Sequence, residues 1–83
     1  MSILKVSVRQ IKAARALLGW SQEDLAREAS VSIPTVKRLE SADGELGGRE
    51  ETAMKLRAAL ERAGIEFLNV SGKGLGVRLS ASS

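Results

Sequence analysis

The chain has 83 residues, 43% of them hydrophobic, with 13 Lys+Arg against 10 Asp+Glu and no Cys, His or Tyr. That length holds one small domain, burying roughly 60–65% of its unfolded surface, so a partner subunit would help it. The missing residue types remove disulfides, thiolate metal sites, the commonest general base and the phenolic acid, so no enzyme activity, metal or cofactor is expected.

Ser7 stands three residues before Gln10, the capping-box spacing, and predicts a helix over Val8 to Leu18. Val8, Ile11, Ala14 and Leu18 recur at helical spacing, and Gly19 supplies the stop. Residues 1–22 carry Lys5, Arg9, Lys12 and Arg15 and no acid. Ser21 caps a second helix, with Glu23 and Asp24 at its positive end and Leu25, Ala26 and Ala29 as its apolar stripe. Ser30-Val31 is a short connection. Ser32 caps a third helix, with Pro34 in the first turn and Val36 and Leu39 facing inward. Residues 41–48, SADGELGG, read as a loop. Acids dominate 40–51, where Glu40, Asp43, Glu45, Glu50 and Glu51 face Arg49 alone. That asymmetry fits a basic face beside an acidic patch, or ordinary solvated helix surface.

A fourth helix follows from about Glu50 to Ala63, with Ala53, Leu56, Leu60 and Ala63 on one face and Gly64 closing it. The pattern then changes to β-branched residues and period two, which predicts a hairpin of about 65–70 and 75–80 around Ser71-Gly72-Lys73-Gly74. The expected fold is mainly α: four helices in residues 1–64, then a C-terminal β-hairpin and tail in 65–83. Ile3, Leu4 and Val6 would add an N-terminal strand. No apolar run approaches the roughly 20 residues of a membrane span, and MSILKVSVRQ lacks the apolar stretch of a signal peptide, so a cytoplasmic protein is expected.

Ser21 to Leu39 is the informative stretch: two short capped helices joined by a tight turn, the helix-turn-helix unit. The run AARALLGWSQEDLAREASVSIPTVKRLE resembles the phage repressor and Cro superfamily, the XRE group of transcriptional regulators. The likeness rests on Arg15, Gly19, Ser21-Gln22, Leu25-Ala26, Val31 to Val36 and Leu39-Glu40. The fourth-helix run TAMKLRAALERAGIEFL also resembles a subgroup that ends in a strand and a GVRL motif. Together these implied a repressor-like DNA-binding domain.

The resemblance implies roles for particular residues. Ser32, Ile33, Pro34, Lys37 and Arg38 would face DNA bases. Arg38 would donate to guanine O6 and N7, and Lys37 would do likewise or hold a phosphate. Ile33 has two readings, packing or contact with a thymine methyl. Lys37 and Arg38 also fit a merely solvated cationic face. Gln22 would contact a phosphate at its helix N-terminus, with Ser21, Thr35 and Arg49 as further phosphate contacts. Arg15 and Glu40 would form a structural ion pair. Trp20 would cover the core between helices one and two. Three departures stand out: Ser30 at the turn position usually held by Gly, which implies a less sharp turn; the apolar opening Ile33-Pro34; and Asp43 and Glu45 in a loop that would otherwise meet phosphate.

A lone hairpin is marginal in water and exposes strand edges. Joining two hairpins about a two-fold axis would answer both problems, with Ile65, Phe67, Leu75, Val77 and Leu79 at the interface. The alternative is a hairpin folded back on its own helices. The leading function is a double-stranded DNA-binding regulator, acting as a homodimeric repressor on an inverted repeat. The alternative is a protein-interaction module, antitoxin-like or antiactivator, with a protein partner.

Overall fold

The caps lie where the sequence puts them. A computed structural model describes residues 6–42, 44, 46–70 and 74–80. Its elements are α1 (Val8–Leu18), α2 (Gln22–Ala29), α3 (Ile33–Glu40), α4 (Glu50–Arg62), β1 (Ile65–Val70) and β2 (Gly74–Leu79). Ser7 and Ser21 each open a complete capping box, with Gln10 and Asp24 as the reciprocal acceptors. Ser32 Oγ accepts from Thr35 N, and Pro34 lies in the first turn of α3, where an N–H is not needed. Arg49 precedes α4 without a side-chain cap, and Glu50 and Glu51 complement that end of the helix dipole.

The two turns close by the same device. Trp20 N donates to Arg15 O after a left-handed Gly19, and Val31 N donates to Ala26 O after a left-handed Ser30. Ser30 has φ 60, so the turn is as sharp as a glycine would make it. The expected loosening is therefore absent. An L-residue can occupy this region at an energetic cost, and two backbone bonds hold it there.

Ile11, Ala14, Leu25, Ala26, Val36, Leu39, Leu56 and Leu60 form the centre of the core. Each large apolar side chain buried this way contributes about 1.5–3 kcal/mol. α2 packs on α3 and on α4, and α1 on α3 and α4. Ala26 and Ala29 are buried at the α2 contacts, where small side chains allow close approach. Gly48 has φ +80, and a Cβ there would lie 2.9 Å from Leu39 Cδ2. A larger residue would thus press on the core beneath α3.

β1 and β2 pair antiparallel, with Phe67 opposite Val77 and Ile65 opposite Leu79. β2 starts one residue earlier than the alternation predicted, and the turn residues 71–73 lie outside the described residues. The hairpin folds back on its own chain: β2 packs on α1, and β1 on α4. Ile65 and Phe67 are buried in this chain's core, with Arg57 of α4 over the Phe67 ring at 5.7 Å. Both had been expected at a subunit interface. Their apolar side chains instead find cover within the protomer.

Of the expected N-terminal strand Ile3, Leu4 and Val6, only Val6 lies among the described residues. Val6 is buried, its carbonyl accepts from Leu46 N, and Val8 N donates to Gly44 O. Residues 6–8 thus run beside the α3–α4 loop. Ile3 and Leu4, and the loop acids Asp43 and Glu45, lie outside the described residues.

Candidate nucleic-acid interface

One side of α3 belongs to the core and the other to solvent. Val36, Leu39 and Glu40 are buried; Pro34, Lys37 and Arg38 are exposed, with Ser41 beyond them at the cap. The exposed set has i, i+3, i+4 spacing, so it is one stripe along the helix. Ser32 is exposed at its start. Ile33 is half-buried: it packs against the core cluster and also remains partly at the surface of α3. Thr35 is half-buried, with its hydroxyl 2.7 Å from Ser32 Oγ. Arg49 is exposed at the start of α4.

Among the described residues some cations are paired with acids, and others, including Arg9, Lys12 and Arg49, are not. Arg27, Lys55, Arg57 and Arg78 are paired with Asp24, Glu51, Glu61 and Glu66. Among the described residues, neither Lys37 nor Arg38 has an ion-pair partner. Two exposed positive charges on a rigid helix, without local neutralisation, suit a polyanion.

Behind the stripe lies a hydrogen-bonded core of charge. Glu40, 3% exposed, accepts from Arg15 in bidentate fashion: Oε2 from Nε at 2.8 Å and Oε1 from Nη2 at 2.7 Å. Arg15 Nη1 also donates to Trp20 O at 3.0 Å, which ties the α1–α2 corner to the end of α3. Trp20 is half-buried and packs against the core, as expected of a cover residue. Glu40 Oε1 accepts a third hydrogen bond, from Gln22 Nε2 at 3.0 Å. Burial pushes the Glu40 carboxyl up, but the bonds from Arg15 and Gln22 and the charges of Arg15 and Lys12 outweigh it. The group is held below the ordinary glutamate range.

Gln22 is the first residue of α2, so its side chain and the unsatisfied N–H groups of that helix end lie together. Ser21 Oγ accepts from Asp24 N, a bond that leaves its O–H to donate to a phosphate. Sequence reasoning gave Gln22 and the Arg15–Glu40 pair separate roles and missed the bond between them. It also passed over Lys12, an exposed cation one turn before Arg15 whose charge acts on Glu40. The i, i+3 spacing from Arg15 was the available signal.

Among the described residues, no helix is long and apolar enough to cross a membrane. No curated protein matches the chain. A family model for the helix-turn-helix, HTH_3, matches residues 11–63, which span most of α1 and all of α2, the turn, α3 and α4. The chain therefore belongs to the HTH_3 family of helix-turn-helix proteins, the XRE group, and is a DNA-binding transcriptional regulator rather than a member of an enzyme family.

Proposed function

We propose that the protein is a repressor that occupies an inverted-repeat operator as a homodimer, with α3 of each protomer in the major groove. The observation that carries this reading is the Pro34, Lys37 and Arg38 stripe: exposed, cationic, unpaired and backed by the core. A groove about 12 Å wide admits one such helix. Arg38 reads guanine, Lys37 reads a base or holds a phosphate, and Ser32 and Pro34 meet the groove at the helix start. Gln22, Thr35 and Arg49 anchor the backbone, and Ser21 supports the same helix end.

For the dimer, β2 offers Leu75, 60% exposed, and Leu79, with Val77 half-buried between them. The protomer measures 33 × 31 × 21 Å. Two protomers side by side would set their α3 helices on the order of 34 Å apart, one turn of DNA.

Selection of bound sequences from a random duplex pool at two salt concentrations tests the whole reading. Enriched inverted repeats with half-sites one turn apart, and affinity that falls steeply with salt, are expected. No uptake of duplex even in dilute buffer would overturn it.

A second reading, a protein-interaction module, is favoured by the apolar start of α3 at Ile33-Pro34 and by Met54, 62% exposed on α4. A captured protein partner together with no salt-sensitive DNA binding would establish that reading instead.

A further inference from the structure

We propose that Glu40 is a positioning residue for DNA binding: its buried carboxylate holds the Gln22 amide so that an N–H of Gln22, and not its oxygen, is presented to a backbone phosphate. This rests on the reading of Gln22 as a phosphate contact, and it gives the Arg15–Glu40 pair a task beyond locking the helices.

An ionised carboxylate only accepts hydrogen bonds. The amide atom that faces Glu40 Oε1 at 3.0 Å is therefore Gln22 nitrogen. That nitrogen carries a second hydrogen, which points away from Glu40. Gln22 is only half-buried at the first position of α2, beside the helix N-terminus, so the residue is partly open to solvent there. A donor there adds to the N–H groups of the helix end, whereas an amide turned the other way would set an oxygen against phosphate oxygens.

Charge makes the same arrangement workable. A lone carboxylate next to a phosphate contact would repel the DNA. Here Arg15 meets both carboxylate oxygens. Glu40 can thus orient Gln22 without presenting net negative charge. The orientation also exists before DNA arrives. A free glutamine would lose rotamer freedom on binding, and holding it in place beforehand is worth up to about tenfold in affinity.

The test uses the full chain and a duplex taken from the random-pool selection. Affinities are measured for the unmodified protein, Gln22→Ala, the pair replacement Arg15→Met/Glu40→Met, and the triple variant, with urea unfolding to confirm that each is folded. Replacing both members of a buried pair by apolar residues leaves no bare charge. Gln22→Ala and the pair replacement should each weaken binding about tenfold. The triple variant should be no weaker than the pair replacement, because Gln22 is already unaimed. Glu40→Gln sets an amide N–H against Arg15 or Gln22 and no longer dictates which Gln22 atom faces it, so it should bind more weakly than the unmodified protein.

If Gln22→Ala binds normally, the phosphate reading of Gln22 fails. If Gln22→Ala is weaker but its effect adds in full to that of the pair replacement, the positioning role fails while the phosphate reading stands. If the pair replacement does not fold, the side-chain NH2 signals of Gln22 in the unmodified protein decide. One hydrogen shifted downfield and protected from exchange, with the other shifting on adding duplex, supports the role; two hydrogens that both exchange as in a free glutamine overturn it.

Discussion

Gln10 of α1 donates its side-chain amide to Gly76 O of β2 at 2.9 Å, across 66 positions of sequence. The same nitrogen reaches Leu68 O on β1 at 3.3 Å, while Gln10 Oε1 accepts from Ser7 N. One buried side chain thus completes the α1 cap and clamps both hairpin strands to the helix. Gln10→Glu is the sharpest probe. It keeps the capping acceptor but turns an oxygen toward two carbonyls, and a buried carboxylate there is left unpaired. The variant should lose about 2 kcal/mol at neutral pH and recover part of that in acid as the group protonates. Urea unfolding at pH 7 and pH 4 checks both, and equal stability loss at both values would contradict the clamp.

The Ser30 turn gives a second expectation. Its φ of 60 lies in the left-handed region, where a Cβ costs about 1–2 kcal/mol and glycine pays no such penalty. The residue is exposed, and its hydroxyl is not what holds the turn; the backbone bonds are. Ser30→Gly should raise stability by about 0.5 kcal/mol, less than the full relief because the unfolded chain also gains freedom. A higher urea midpoint at unchanged m-value is the expected result.

Acid should find the Glu40 site. The folded carboxyl is held below its ordinary value of 4.5, so the unfolded chain binds more protons in the window beneath that value. Its contribution is fully present above the unfolded value and is lost as pH falls through the folded one. Stability should therefore be flat through neutral pH and decline below about pH 4.5. Arg15→Ala, which strands a buried carboxylate, should cost about 3 kcal/mol at pH 7 and less in acid. A pH-independent loss would mean that packing, not charge, is what Arg15 supplies.

These sites differ in how far they could be read from sequence, and the difference is one of range. Ser7, Ser21 and Ser32 each cap a helix by a bond to the residue three positions on, and Gly19 stops one next to it, so local chemistry exposed the starts of α1, α2 and α3 and the end of α1. Arg15 and Glu40 were visible only through resemblance, because nothing in the spacing of 25 residues says that two side chains meet. The Gln10 clamp and the Gln22–Glu40 bond were not visible. One ends on backbone carbonyls and the other looks like an ordinary polar helix start. Alternation in 65–79 specified a hairpin with one apolar face but not what that face covers. Ile65 and Phe67 turned inward onto α4 and the core because that cover was already available within the chain.

The hairpin's remaining apolar surface then bears on assembly. Leu75 is 60% exposed and Leu79 lies at the other end of β2. If β2 joins a second copy, Leu75→Ser/Leu79→Ser should shift the protein toward monomer in sedimentation while leaving the thermal midpoint of the protomer within a few degrees. Loss of dimer should also reduce affinity for a two-half-site operator far more than for a single half-site, because the second contact becomes bimolecular. A variant that stays dimeric would place the contact elsewhere.

Arg38 and Lys37 separate base reading from charge attraction. Both are exposed on the α3 stripe and unpaired among the described residues, so removing either leaves the fold intact. A bidentate contact from Arg38 to guanine would make Arg38→Ala cost about 1–3 kcal/mol on a selected site and relax preference at one base pair. Arg38→Lys should rescue little of that, since an ammonium cannot reproduce the planar fork. If Lys37 instead holds a phosphate, Lys37→Ala should weaken all sequences alike and lower the salt slope by about one. Affinity measured on matched and mismatched duplexes across salt resolves the two. Should both variants weaken every duplex equally with a reduced slope, α3 would lie along the backbone, and base recognition would have to come from another part of the chain.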